Sequence, residues 1–305
     1  MDNLFDALTR REALRRAAML AGGVMAAPLL AGCPRPGTEG GVGEGTAARA
    51  AGTAQPGRPV GLQLYSVRHQ LEPDAAGTLQ QVAQIGYNQV ETYDTQNINA
   101  DEFGAVLRRN GLVTPSGHFG IDALRQNLDA SLAVAQALGQ RWVIVPWLVE
   151  GERNQAGYSR VAADLNRFGQ ATRERGLRVA YHNHEFEFER LEGGRSGMDI
   201  LLAETDPALV DFELDLFWTV HAGHDPLEFL TRHQGRMPLW HVKDMADIRG
   251  EKRMVPVGQG EIDFGQLFAR AEELGLQHFY VEHDDPEDPT AFLRTSYQHV
   301  SQFLS

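Results

Sequence analysis

Cysteine is nearly absent: the 305-residue chain has one, Cys33. That excludes an intramolecular disulfide and any cysteine-rich metal site. Positive charge is also scarce, with 28 Lys and Arg against 41 Asp and Glu, a formal net charge of -13. Nucleic-acid surfaces need basic patches to neutralise phosphates, so no nucleic-acid partner is expected. The charge-free apolar segment near the start, 17–32, is rich in Gly and Ala and short for a membrane span. No glycine-rich phosphate turn follows the first strand candidate, where 64–68 reads LYSVR. An open, doubly wound nucleotide-binding sheet is therefore disfavoured. The two glycines of Gly258-Gln259-Gly260 follow no strand and read as a loop turn. What is present is ordinary globular material, 42% hydrophobic, enough for one large core.

The first 33 residues do not belong to that core. TRREALR at 9–15 places paired arginines ahead of 17–32, as in a twin-arginine export signal, with Ala13 where the usual pattern prefers Phe. LAGC at 30–33 resembles a lipobox with Cys33 as the lipidated first residue of the mature protein. The expectation is an exported, periplasmic or cell-envelope protein that touches the membrane only through a lipid anchor at Cys33. Residues 34–59 are Gly, Ala, Pro and Thr with few large apolar groups, and read as a flexible tether. The folded domain is expected over 60–305.

From residue 60 short apolar runs alternate with amphipathic stretches. Strands are expected at 60–65, 88–92, 113–118, 141–146, 178–184, 210–216, 239–242 and 278–282. Helical patterns at 78–85, 101–110, 124–138 and 158–175 each stop at or just before a glycine, a residue suited to helix ends. Asp225-Pro226, Asp263 and Asp288-Pro289 place acceptors at the starts of later helices. Eight βα units of about thirty residues suit a closed (β/α)8 TIM barrel.

Chemistry in such a barrel gathers at the carboxyl ends of the strands. The densest stretch is VAYHNHEFEF at 179–188, where alternation sends His182 and His184 to one face. Other strand ends carry Glu91, His118, Trp147, Asp215, Trp218, His241, Lys243 and Glu282. His182, Asp215, His241 and Glu282 lie about one βα unit apart, so they can meet around one divalent cation. Two imidazoles and two carboxylates suit Mn, Co, Zn, Fe or Ni better than Ca. Asp244 and Glu185 are available to orient the imidazoles. Buried salt-bridge networks are the alternative use of the same residues.

Several blocks in order resemble the xylose-isomerase-like TIM-barrel superfamily of sugar phosphate isomerases and epimerases. They are GLQLYSVR at 61–68, YHNHEFEF at 181–188, ELDLFWTVHAG at 213–223, HVKD at 241–244, VGQGEIDF at 257–264 and YVEHDDP at 280–286. The resemblance implies one divalent cation held by Glu, Asp, His and Glu on the last four strands, matched here at Asp215, His241 and Glu282. It also implies a sugar or keto-sugar substrate. His182 stands where many relatives carry Glu, and Trp218 where epimerases often carry His. Both departures weigh against simple epimerase chemistry and towards oxidised sugars.

The expected reaction begins with proton removal next to a carbonyl. Glu282, Glu185 or His184 would be the base, and Lys243 would donate a proton or hold an oxyanion, unless it pairs with Asp244 or Glu213. Trp147 and Trp218 would face a sugar ring, and Glu91 and His118 would contact its hydroxyls. Returning the proton gives an isomerase or epimerase, and expelling a β-substituent gives a dehydratase or lyase. A partner sugar dehydrogenase would supply a keto-sugar, and a homo-oligomer is compatible with this reading. A phosphodiester nuclease and a non-catalytic sugar-binding lipoprotein are the other classes the sequence leaves open.

Overall fold

A computed structural model describes residues 58–304. The expected export signal, the expected anchor Cys33 and the expected tether up to residue 57 lie outside the described residues. The last two tether residues already belong to the domain. Arg58 donates to the Leu276 carbonyl at 2.7 Å, and the Pro59 carbonyl accepts from the Gln89 side chain at 3.1 Å.

Eight short parallel strands form the barrel: β1 (Gly61–Gln63), β2 (Gln89–Thr92), β3 (Val113–His118), β4 (Trp142–Val145), β5 (Arg178–His182), β6 (Val210–Asp215), β7 (Leu239–Val242) and β10 (His278–Val281). The order β1-β10-β7-β6-β5-β4-β3-β2 closes on itself, leaving no sheet edge. A small antiparallel ribbon, β8 (Asp244–Met245) with β9 (Met254–Val255), follows β7. The expected TIM barrel is thus observed, with helices between its strands. Among the described residues no helix is long and apolar enough to cross a membrane.

Local chemistry sets the boundaries. Asp74, Asn99, Asn154 and Asp288 each accept a backbone N–H of the helix they precede. The helix expected over 124–138 is two, Ile121–Gln126 and Leu128–Leu138, because Asn127 turns its side chain to the Ala130 N–H and caps the second. Among the described residues three helices escaped the sequence reading, the short Arg68–Leu71 among them. Gly197–Glu204 starts in a reciprocal capping box between Ser196 and Asp199, and Leu216–His221 starts directly from Asp215. β1 ends early because the Gln63 side chain accepts the Tyr65 N–H and starts a 3-10 turn. β5 likewise ends at His182 rather than His184.

The barrel interior is closed below the site by an apolar plug of Trp142, Ile144, Ala180, Leu239 and Tyr280. Beneath it, Asp211 accepts the Trp142 indole N–H at 2.9 Å and pairs with Arg178. The Tyr280 ring needs Gly61: a Cβ there would stand 2.5 Å from the ring and 2.3 Å from the Phe279 carbonyl oxygen. Gly61→Ala is expected to lower stability by about 3 kcal/mol through overpacking. Denaturant unfolding of the variant checks this, and an unchanged midpoint would contradict it.

Candidate metal centre

Above the plug, register brings the polar side chains together. His182 pairs with Glu213 across β5 and β6, and Asp215 with His241 across β6 and β7. Alternation along β6 sends Glu213 and Asp215 to the same face, one layer apart. His118 and Glu91 enter from β3 and β2, and Glu282 and Lys243 just beyond the ends of β10 and β7. All eight are buried, none more than 8% exposed, so their charges must be balanced by one another, by close neighbours or by a bound ion.

Two donor groups share His241: His118, His182, Glu213 and His241 below, and Asp215, His241 and Glu282 above. Within each group the ligand atoms lie within 4.8 Å of one another. In the lower group Glu213 Oε2 is 2.9 Å from His118 Nε2, 3.1 Å from His241 Nε2 and 3.4 Å from His182 Nδ1. In the upper group His241 Nδ1 lies 2.6 Å from Glu282 Oε2. Lys243 Nζ lies 3.0 Å from Asp215 Oδ2, 2.9 Å from Glu282 Oε2 and 2.8 Å from Asp284 Oδ1. The pairing of Lys243 with Asp244 or Glu213 considered from sequence is therefore replaced by these three carboxylates. This buried His, Glu and Asp cluster can hold a metal ion. Its nitrogen and carboxylate donors fit one, and His182 Nδ1 and Glu213 Oε1 have no hydrogen-bond partner despite burial.

The electrostatics follow from this crowding. Burial would raise Glu91, but His118 and His241 bring it down to about 2. Burial likewise opposes charge on His118, yet Glu91 and Glu213 lift it to about 9. Burial raises Asp215 to about 6 against the pull of Lys243 and His241. Glu282 is held well below the usual carboxylate range by Lys243 and His241, which outweigh its burial. His182 and His184 are pushed well below the usual histidine value, first by burial and then by neighbouring cations, and stay neutral.

Fold and geometry agree with known proteins. Residues 79–302 match the model of the xylose isomerase-like TIM barrel family. The chain belongs to that family. A solved sugar phosphate isomerase/epimerase from Parabacteroides distasonis is 25% identical, with a TM-score of 0.72, and the match covers 84% of this chain and 98% of that one. The probable 3-DHS dehydratase of petrobactin synthesis from Bacillus anthracis has a TM-score of 0.64 at 13% identity, over 80% and 98% of the two chains, and shows the fold alone. Among curated proteins, an inosose dehydratase of Lacticaseibacillus casei is 28% identical over 140 residues, 41% of this chain and 46% of that protein. The chain thus spans about half the length of the curated relatives it matches.

The structure redistributes several expected roles. Glu91 and His118 pair with each other at 2.7 Å inside the cluster. Asp244 does not orient an imidazole. Its carboxylate accepts the backbone N–H groups of Met245, Gly258, Gly260 and Ile262 and so fixes the loop after β9. That explains Gly260, whose Cβ would stand 2.3 Å from Asp244 Oδ1. Glu185 stands apart from the cluster, and its charge is felt at Glu187 and His221. Trp147 and Trp218 lie beside His184. With Phe186 they box His184, at ring-centroid distances of 4.6, 5.7 and 5.5 Å respectively.

Two residues were missed. Glu213, two positions before Asp215, could have been found from the period of the strand. Glu187 had no comparable signal, because its role depends on the turn after β5. Its carboxyl accepts the Tyr181 hydroxyl at 2.5 Å and the His184 N–H at 2.8 Å, which curls the chain and sets His184 in place. Burial raises Glu187 from 4.5 to about 8, against the lowering effect of these hydrogen bonds. Because the folded value is the higher one, the folded state binds the extra proton. This contribution to stability is complete below about pH 4.5 and is lost as pH rises towards 8. Glu187→Gln should therefore flatten the fall in melting temperature between pH 5 and 8. A variant with an unchanged pH profile would contradict the assignment.

Proposed function

We propose that the chain is a metal-dependent enzyme of the sugar isomerase/epimerase type, removing a proton from the carbon next to a carbonyl of a sugar or keto-sugar. The observation that carries this reading is the buried cluster at the carboxyl ends of the strands. There an ionised Glu282, a charged Lys243 and a neutral His184 surround one mouth walled by Trp147, Phe186 and Trp218. A ring with apolar faces and polar edges suits walls of that kind.

The ion would be held by His241 with donors from one of its two groups, His118, His182 and Glu213 or Asp215 and Glu282. A bound divalent cation supplies Lewis acidity at the substrate carbonyl. Glu282 is the base: it is ionised, 5% exposed and held in one geometry by His241 and Lys243. The Lys243 ammonium stabilises negative charge developing on the substrate oxygen. His184, lacking a hydrogen-bond partner at Nδ1, receives or returns a proton on the β5 side of the mouth.

A dehydratase outcome is the second reading, supported by the likeness to inosose dehydratases. It shares the first step, after which a β-hydroxyl leaves as water, taking the proton that Glu282 removed. Export and lipid anchoring at Cys33 remain part of the proposal, as does supply of a keto-sugar by a partner dehydrogenase.

The test is deuterium uptake from heavy water next to the carbonyl of keto-sugars and keto-inositols, followed by NMR. The metal-supplemented protein should exchange that position, and Glu282→Gln should slow exchange by about 10²- to 10⁴-fold. Loss of water or appearance of an isomer then separates the two outcomes. No exchange on any of these substrates would contradict the proposal.

A further inference from the structure

Resting on the reading of His184 as a proton carrier on the β5 side of the mouth, we infer that Arg153 is a positioning residue. It clamps Phe186 and Trp147, and through them holds the His184 ring in its working orientation. Glu187 fixes the His184 backbone N–H, but Nδ1 of the ring is buried without a hydrogen-bond partner, so no bond at that nitrogen sets the ring angle. Packing sets it instead. Phe186 lies parallel to the ring, at 4° and 5.5 Å between centroids, and Trp147 meets it edge to face at 86° and 4.6 Å. A ring held by shape alone is only as fixed as the side chains around it.

Arg153 touches both of those neighbours. Its guanidinium carbon lies 3.7 Å from the centroid of Phe186 and 4.5 Å from that of Trp147, and the two rings meet each other at 5.0 Å and 83°. A guanidinium that close to an aromatic face is attracted by the ring quadrupole and stacks on it as a plane. Its Nε donates to the Leu148 carbonyl at 3.0 Å, so the same loop that carries Trp147 also sets the guanidinium. The carboxylate next to it in the chain, Glu152, turns to Arg125 instead, and among the described residues Arg153 takes part in no salt bridge. Its charge is left to the two rings.

The turn that presents Arg153 is itself anchored. Arg125, on the helix Ile121–Gln126, donates to both Glu152 carboxylate oxygens at 2.8 and 3.1 Å and to Asp164 at 2.8 Å. Asp164 lies on the helix Gln155–Glu174. A Cβ on Gly157 would stand 2.0 Å from the Glu152 carbonyl oxygen, so the turn Glu150–Glu152 rests directly on the start of that helix. The loop after β4 is thus tied to two helices. From it, one side chain reaches across to Phe186 in the loop after β5 and couples the two loops around His184.

The test follows the His184 ring by NMR in the full chain with isotope-labelled histidine, assigning its signals by their loss in His184→Gln, alongside deuterium exchange on keto-sugars and keto-inositols. In Arg153→Ala the His184 ring signals should move towards those of an unpacked histidine. The exchange rate at saturating substrate should fall about tenfold, with KM changed by less than about threefold. Arg153→Lys, which keeps the charge without the planar stack, should fall between the two. In a His184→Gln background Arg153→Ala should cost less than about twofold more, because its effect runs through His184. Unmoved His184 signals, or single losses that simply multiply in the double variant, would overturn the inference and leave the enzyme reading standing. A wild type without exchange would overturn that reading and the working role of His184 with it. Should Arg153→Ala fail to fold, Arg153→Lys carries the same comparisons.

Discussion

Four carboxylates inside a closed barrel set the terms for the rest of this structure. Glu91, Glu213, Asp215 and Glu282 are at most 5% exposed, and Lys243 supplies a single fixed positive charge among them. The remaining imbalance must be met by protons on imidazoles or by a cation, since uncompensated charge in such an interior is prohibitively costly. The three histidines at the centre answer that need in either way. Their behaviour is unequal: Glu91 and Glu213 draw His118 up against its burial, whereas burial and then the neighbouring positive groups push His182 down.

Rigidity around the cluster comes from side chains that tie its loops and turns to the barrel. Asp244 ties four backbone N–H groups of the β8–β9 region, Glu187 holds the turn that carries His184, and Asp215 caps a helix through Trp218 N–H at 3.0 Å. Arg68 spans from the loop after β1 to the carbonyl of Asp284 and the carboxylate of Asp285. Each binds a loop to the barrel at the end where the chemistry lies, so the mouth is shaped by polar contacts while the plug of Trp142 and Tyr280 closes the other side.

Much of this was legible in the sequence, for physical reasons. Buried parallel strands appear as short apolar runs, and glycine-ended amphipathic helices between them leave few alternatives to a closed barrel. The strand-end residues His182, Asp215, His241 and Glu282 all reach the cluster, but His182 falls in the lower donor group and Asp215 and Glu282 in the upper, with His241 shared. The finer distribution was not legible. Whether Lys243 turns to Glu213 or to Asp215 depends on a register that only the closed sheet defines. The 3-10 turn at Phe186–Phe188 moves Glu185 out and Glu187 in. Glu91 and His118 read as substrate contacts because nothing local reveals that they pair between the adjacent strands β2 and β3.

The central claim, that this interior is built to take up a cation, is tested most directly by calorimetry on the chelator-stripped protein. The account predicts a melting temperature that rises with added Zn²⁺ or Co²⁺ and continues to rise with the logarithm of its concentration, because the ion binds only the folded barrel. A melting temperature indifferent to both metals would show that the carboxylates are balanced by Lys243 and imidazole protons alone, and would contradict it.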